Sequence, residues 1–454
     1  MNHPSHGRTV GRGGHRRVLA IGLVVVFLVT ACSSGGSSPS ASAAASAAAT
    51  AAASVAASAP ASTAAKPYAG TTLHMLMEDL TETHYIADLF PDLEAKTGIK
   101  VEFEQVPYSN MYEKLVPQLS GPEKSGSYDV VAVDYYWPGE FARSGWMLPL
   151  DEWIARDKTD LSGILPAFFD VNGRVDGKTY YVPYFPYPMG IVYRKDLNIQ
   201  IPKTMEEYVT YTKSLKKGDL YGAAMQGAPT DPIAMEWLNF LFANGGDLYA
   251  ADLKTPTVNN EIGLKALNQY MDMIDNAAQT GAAGANLDDA SNTFAQGKAA
   301  TMVTYVTIFA GFFQDPASSQ IVDKWDVAPM PGTGQGNVGV WSFGVPKSSK
   351  NPDAAWEFIK WATSEDISRQ RSLKGGSPDY SSFYSDPVIL AKFPYLTKAL
   401  DILKAGKGLP LITKQQDLVA TLGRELSEAA SKRKTPQAAL DAIAVKLAEL
   451  ATQN

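Results

Sequence analysis

Three stretches of the chain set carboxylates beside aromatic rings. Glu78 and Asp79 follow an apolar run, Asp134 precedes Tyr135, Tyr136 and Trp137, and residues 176–197 (DGKTYYVPYFPYPMGIVYRKDL) concentrate tyrosine, phenylalanine and proline. Carboxylates accept hydrogen bonds from hydroxyl groups, while flat rings pack on the apolar face of a sugar. The pairing therefore suits reversible capture of a polyhydroxylated solute, and that chemistry needs no cofactor. Acids beside rings also describe a glycosidase cleft, which needs two carboxyls about 5 to 9.5 Å apart across the scissile bond. No hydrolase signature accompanies Glu78, Asp79 or Asp134, so no enzyme activity is expected. For any single residue, helix capping by the acid or core packing by the ring competes evenly with a functional role. A common position in the fold is what raises function above packing.

The surrounding elements supply that common position. Residues 71–77 read as a strand, 83–97 as a helix with Ile86, Leu89, Phe90 and Leu93 on one face and Gly98 as its stop, and 99–106 as a second strand. A helix around 111–119 and a short apolar run at 128–133 complete a β-α-β-α-β alternation. Such alternation implies a parallel sheet covered by helices, whose ligands sit beyond the carboxyl ends of the strands. Glu78 and Asp79 fall at the first of those ends and Asp134 to Trp137 at the third. Pro183, Pro186 and Pro188 forbid a helix and hold the backbone extended, so Tyr184, Phe185 and Tyr187 project from a stiff segment. Further on, Asn244-Gly245-Gly246 ends a helix carrying Trp237, and a Gly-Lys turn at 297–298 leads into a strand reaching Tyr305. A glycine-rich loop precedes a strand with Trp341, residues 350–371 read as one amphipathic helix, and the last hundred residues are mostly helical.

Composition narrows the setting. Arg8, Arg12, Arg16 and Arg17 precede an uncharged apolar run ending in Val29-Thr30-Ala31-Cys32, the layout of a secretory signal over residues 1–31. That run falls short of the roughly 20 residues of a membrane-spanning helix. The small residue before Cys32 resembles the lipobox of bacterial lipoproteins, in which the cysteine is acylated, anchors the chain outside the cell membrane and becomes its mature N-terminus. Residues 32–67, nearly all Ser, Ala, Gly, Pro and Thr, read as a flexible tether. Without the leader arginines the formal charge moves from -7 to -11, which argues against nucleic acid as a partner. Beyond Cys32 there is no thiol, and the body holds only His74 and His84, so no metal site of the Cys/His type is expected.

A series of short motifs then follows in order. Gly177-Lys178-Thr179-Tyr180 with Pro183 leads to Val192-Tyr193-Arg194-Lys195-Asp196-Leu197, and Pro202-Lys203-Thr204 with Glu207 comes next. After them stand Asn244-Gly245-Gly246, Phe294 with Gly297-Lys298-Ala299-Ala300, Ala328-Pro329-Met330-Pro331, and Ser349-Lys350-Asn351-Pro352 with Trp356. From about Leu73 to Leu450 the chain resembles the extracellular solute-binding proteins of family 1, the sugar- and polyol-binding components of ABC importers. Arg194 stands where the family usually has Asn, and Met205 where it has Trp.

The resemblance implies a type II periplasmic-binding-protein fold of two α/β lobes, 68–185 with 339–384 and 186–338 with 385–454, closing on a ligand by hinge bending. It implies a cleft of Glu78, Asp79, Asp134, Tyr135, Tyr184, Tyr187, Tyr305 and Trp341, with Gly376 in a glycine-containing loop and Asp231 and Trp237 added from a cleft-facing helix. The arginine often found near that loop is missing from it, and Asp379 lies close by. The expected partners are a carbohydrate or polyol and the transmembrane subunits of an ABC permease, with the protein a monomer. A polyamine is the alternative ligand, for which acids and rings would form a cation site.

Overall fold

The first apolar run forms β1 (Thr72–Glu78), flanked in parallel by β2 (Lys100–Val106) and by the fully buried β3 (Val130–Val133). The structure is a computed structural model that describes residues 66–453, within one compact unit, Ala64–Asn454. The leader, nearly all of the tether and Cys32 lie outside the described residues. Among the described residues no helix is long and apolar enough to cross a membrane.

A short hairpin, β4 (Arg174–Val175) with β5 (Lys178–Thr179), leads into β6 (Tyr181–Arg194), followed by β7 (Tyr221–Ala224), β8 (Ala299–Tyr305), β9 (Trp325–Ala328) and β10 (Val338–Gly344). The strands run in the order β2-β1-β3-β10-β6-β8-β7, with β9 also on β6. The 14-residue β6 is the shared strand. Tyr181 to Pro188 pair antiparallel with β10, and Met189 to Arg194 pair with β8 and β9. Proline removes a ladder donor and is confined to edges. All three β6 prolines lie in the half whose one strand neighbour is β10, so the segment stays extended there without breaking a second ladder.

Two helical expectations need correction. Residues 83–97 are two helices, Thr81–Ala87 and Phe90–Thr97, separated at Asp88 and Leu89, with Pro91 in the first turn of the second. Residues 350–371 likewise divide into Pro352–Ala362 and Glu365–Lys374. At that break Thr363 Oγ1 donates back to the Ile359 carbonyl and Ser364 Oγ to that of Trp361. Apolar periodicity runs through the first break, whereas past the second the helix buries Ile367 with Ser368, Arg371 and Ser372, a largely polar face.

Candidate functional site

β3 ends at Val133, which places Asp134 at the carboxyl end of the parallel strands. Asp134 is only 2% exposed, and its carboxylate accepts hydrogen bonds from Tyr108 Oη at 2.7 Å and from Tyr187 Oη. Tyr108 begins the helix that follows β2, and Tyr187 comes from β6, so three elements converge on one carboxylate. Tyr135 Oη accepts from Asn337 Nδ2 at 2.8 Å and lies 3.1 Å from Tyr136 Oη and from Met235 Sδ. Around this polar centre the rings form a wall. Tyr187 meets Tyr135 and Tyr305 edge-on at 5.6 and 5.5 Å, Trp137 stacks on Tyr108 at 5.7 Å, and Trp341 stands edge-on to Trp137 at 5.8 Å.

Burial governs the electrostatics. It pushes the Asp134 carboxyl up to about 7, with Asp231 adding to the rise and the two phenols opposing it. Burial, then Asp134 and Asp79, push Glu78 up to about 8. Partial desolvation by the surrounding protein also raises Asp231, although the residue stays exposed at the cavity. Among the described residues none of these three carboxylates forms an ion pair.

Two cavities flank the centre. One, about 410 Å³, is lined by Tyr108, Tyr136, Thr230 and Asp231 on one side and by residues of the helix Gln415–Ala430 on the other. The second, about 680 Å³, lies between Leu80, Thr81, Glu82 and Tyr85 and the facing Ser291, Asn292 and Thr307. Thr230 closes the first cavity with φ +143° and ψ -140°, a conformation costly for any residue but glycine. The Gln415–Ala430 helix approaches it closely enough that a Cβ on Gly423 would lie 2.2 Å from the Thr230 carbonyl oxygen. Strain of this kind, held at a cavity wall, is common at ligand sites.

The expected residues divide. Asp134, Tyr135, Tyr187, Tyr305 and Trp341 share the ring wall, Glu78 lies within electrostatic reach of Asp134, and Asp231 opens onto the cavity. Four others are placed differently. Asp79 is exposed and bonded to His84 at 3.1 Å. Tyr184 is stacked on Phe343 at 3.9 Å beneath the Arg371 guanidinium, so its ring faces are already covered. Trp237 is completely buried in the helix Asp231–Ala243, with its Nε1 unpartnered among the described residues. Gly376 serves packing, because a Cβ there would press on Arg371 and Glu82.

Arg371, one helical turn before the Gly375–Tyr380 loop, packs against that loop and donates to the Ser377 carbonyl. It is fully buried between Glu82 at 3.0 Å and Asp379 at 3.3 Å and donates to the Tyr184 carbonyl. Reasoning from sequence missed Tyr108, Asn337 and Met235. Tyr108 follows the carboxyl end of β2 and was open to the rule that found Asp134. Asn337 and Met235 carried no comparable signal.

Two half-sheets sharing β6, with rings, carboxylates and cavities where they meet, define a cleft-type binding protein. The chain belongs to the bacterial extracellular solute-binding protein family, whose model matches residues 78–368. It is 29% identical to an ABC transporter solute-binding protein from Agrobacterium radiobacter K84 crystallised with ribitol, with a TM-score of 0.77 over 85% of this chain and 100% of that one. It is 25% identical to the galactooligosaccharide-binding protein of Bacillus subtilis over 81% of this chain and 86% of the relative. It is also 25% identical to a probable amino-acid ABC transporter periplasmic-binding protein of Sinorhizobium fredii, over 82% and 88% of the two chains. The family and these neighbours are binding proteins, and the fold is their two-lobed α/β architecture.

Proposed function

We propose that this protein captures a carbohydrate or polyol outside the cell membrane and delivers it to the transmembrane subunits of an ABC importer. The observation that carries this reading is Asp134, a buried carboxylate held by two phenols inside a wall of rings at the strand ends. Hydroxyl groups of a solute would exchange with those phenols as partners while the rings cover its apolar faces. The ribitol- and galactooligosaccharide-binding relatives support the ligand class.

In this reading the lobes are 68–185 with 339–384 and 186–338 with 385–454, and they close by bending at β6 and its neighbouring crossovers. The contacting set is Glu78, Asp134, Tyr135, Tyr187, Asp231, Tyr305 and Trp341, with Tyr108 and Asn337 added. Cys32 carries the lipid anchor, and the body acts as a monomer that catalyses nothing. A thermal-shift panel of mono-, di- and oligosaccharides and polyols tests the reading. Saturation at about 100 times the dissociation constant should add roughly 2.7 kcal/mol of stability. A panel without any shift overturns it.

A further inference from the structure

We infer that the solute is a carbohydrate chain, a trisaccharide or longer, that leaves the ring wall at Asp134 and runs along a groove past Tyr85. The inference rests on the sugar and polyol reading above and assigns the chain length which that reading leaves open.

The first argument is shape. The cavity of about 680 Å³ starts beside the ring wall. Thr307 in its lining lies two residues beyond Tyr305 and donates its hydroxyl at 3.3 Å to the carbonyl of Pro186, the neighbour of Tyr187. A third cavity of about 470 Å³ continues from it, and the two share Tyr85, Gly311 and Gly375 as lining. Two of those three residues carry no side chain, so Tyr85 alone narrows the neck. A Cβ on Gly375 would lie 3.1 Å from Tyr85 Oη and 3.6 Å from Phe393 Cζ, whereas one on Gly311 would point into open space. Gly375 also holds φ +114°, a conformation that favours glycine. Each cavity alone falls within the roughly 300 to 1,000 Å³ of a small-molecule site. Placed end to end beyond the ring wall, they exceed what a monosaccharide or an alditol fills. One sugar unit at the wall and one in each cavity make a trisaccharide. In the lobe division proposed above, Tyr85 and Gly375 come from one lobe and Phe309 and Phe312 from the other, so closure would clamp the chain along its length.

The second argument is chemistry that a single sugar unit at Asp134 would leave unused. Ser291, on the helix Leu287–Ala295, is 1% exposed and lines the larger cavity, and its Oγ has no hydrogen-bond partner among the described residues. A buried hydroxyl left unpaired calls for a partner that arrives later, and a sugar hydroxyl supplies donor and acceptor together. Tyr85, Phe309 and Phe312 line the same cavity half-buried. In the smaller cavity Trp325 and Tyr395 stand 5.3 Å apart beside Phe393. Rings repeated along a groove suit the apolar faces of successive sugar units. Charge does not define this end. Lys374 is committed to Asp88 at 2.6 Å, Lys398 to Asp326 and Lys392 to the Leu373 carbonyl. The first cavity offers no such track, since its outer wall carries the Arg424–Glu425 and Arg433–Glu428 pairs.

Calorimetric titration of the tether-and-body chain tests this with homologous series from monosaccharide to pentasaccharide. The series are α-1,4-linked glucose and β-1,4-linked glucose, galactose, mannose and xylose, with ribitol and D-mannitol titrated alongside. In a series that binds, the trisaccharide is expected at least tenfold tighter than the monosaccharide. Tyr85→Ala should weaken the trisaccharide at least fivefold more than the monosaccharide, whereas Asp134→Asn should weaken all lengths alike. Ser291→Ala removes a hydroxyl that is unpaired in the free protein, so the ligand-free melt should stay level or rise while the trisaccharide loses at least threefold in affinity. A monosaccharide or alditol that binds as tightly as every trisaccharide overturns this inference and leaves the sugar and polyol reading standing. A length preference that neither Tyr85→Ala nor Ser291→Ala reduces does the same. Silence of every series and of both alditols overturns both.

Discussion

Asp134 brings the chemistry of single residues into view, because it is buried, bonded to two phenols and without a cation among the described residues. A carboxyl lifted to about 7 binds its proton in the folded state at a pH where the unfolded chain has released it. Glu78, lifted to about 8, behaves alike. In the window between the unfolded carboxylate range and those values the native state holds more protons, so stability falls as pH rises. The ligand-free body should therefore melt several degrees higher at pH 5 than at pH 8, as followed by circular dichroism. Asp134→Asn should flatten that slope, since a shift of about three units at ~1.4 kcal/mol each opposes folding by a few kcal/mol at pH 8. A slope unchanged by Asp134→Asn would place the titration elsewhere. Asp134 could be picked out from sequence because it ends an apolar strand beside rings. Its phenolic partners could not, since Tyr108 and Tyr187 are 26 and 53 positions away and only the sheet brings them together.

At the scale of elements, β6 carries the site. Its prolines and rings announced an extended segment, and the structure shows why three prolines are tolerated, on the half that lacks a second strand neighbour. What the residues could not announce is register. Gly339 on β10 sits opposite Tyr187, and a Cβ there would fall 2.0 Å from the tyrosine ring. The glycine thus gives the ring room to lie over the neighbouring strand and reach Asp134. Gly339→Ala should destabilise the protein by about 1 to 3 kcal/mol, the ordinary cost of overpacking, and weaken solute binding by displacing the Tyr187 hydroxyl. Urea melts and titration calorimetry on the same preparation measure the two effects. If affinity survives the stability loss, Tyr187 does not touch the solute. The helix break near 88 was hidden for a related reason, because periodicity reports which face is buried and not whether the axis is continuous.

For the molecule as a whole, the question is what lets two halves move while staying correctly joined. Arg371 ties the helix Glu365–Lys374 to Glu82 in the helix Thr81–Ala87, to Asp379 in the following loop and to the Tyr184 carbonyl of β6. Ser377 reinforces the knot by donating its hydroxyl to the Pro186 carbonyl at 2.5 Å. The sequence places this arginine outside the expected loop, so its role emerges only when the chain is folded. Its network fixes one end of β6 to the first half-sheet. Arg371→Met leaves two buried carboxylates without their cation and should cost about 3 to 5 kcal/mol, while adding Glu82→Gln and Asp379→Asn should restore part of the loss in thermal melts. Across the cleft the joints are the Tyr187 hydroxyl on Asp134, the Tyr135 hydroxyl with Asn337 and Met235, Arg143 on the Leu411 carbonyl and Thr413, and the Lys414–Glu140 and Arg369–Asp386 pairs at 3.7 and 2.9 Å. Most of these joints are single hydrogen bonds or partly exposed ion pairs, each worth little on its own, so bending at β6 can break them when no solute fills the cleft while the buried Arg371 network holds. Small-angle scattering should then give a larger radius of gyration for the ligand-free body than for the saturated one. The Arg371→Met variant should lose that difference, because its hinge no longer has a fixed end. Equal radii for the free and saturated wild-type protein would mean that the solute enters a cleft already closed.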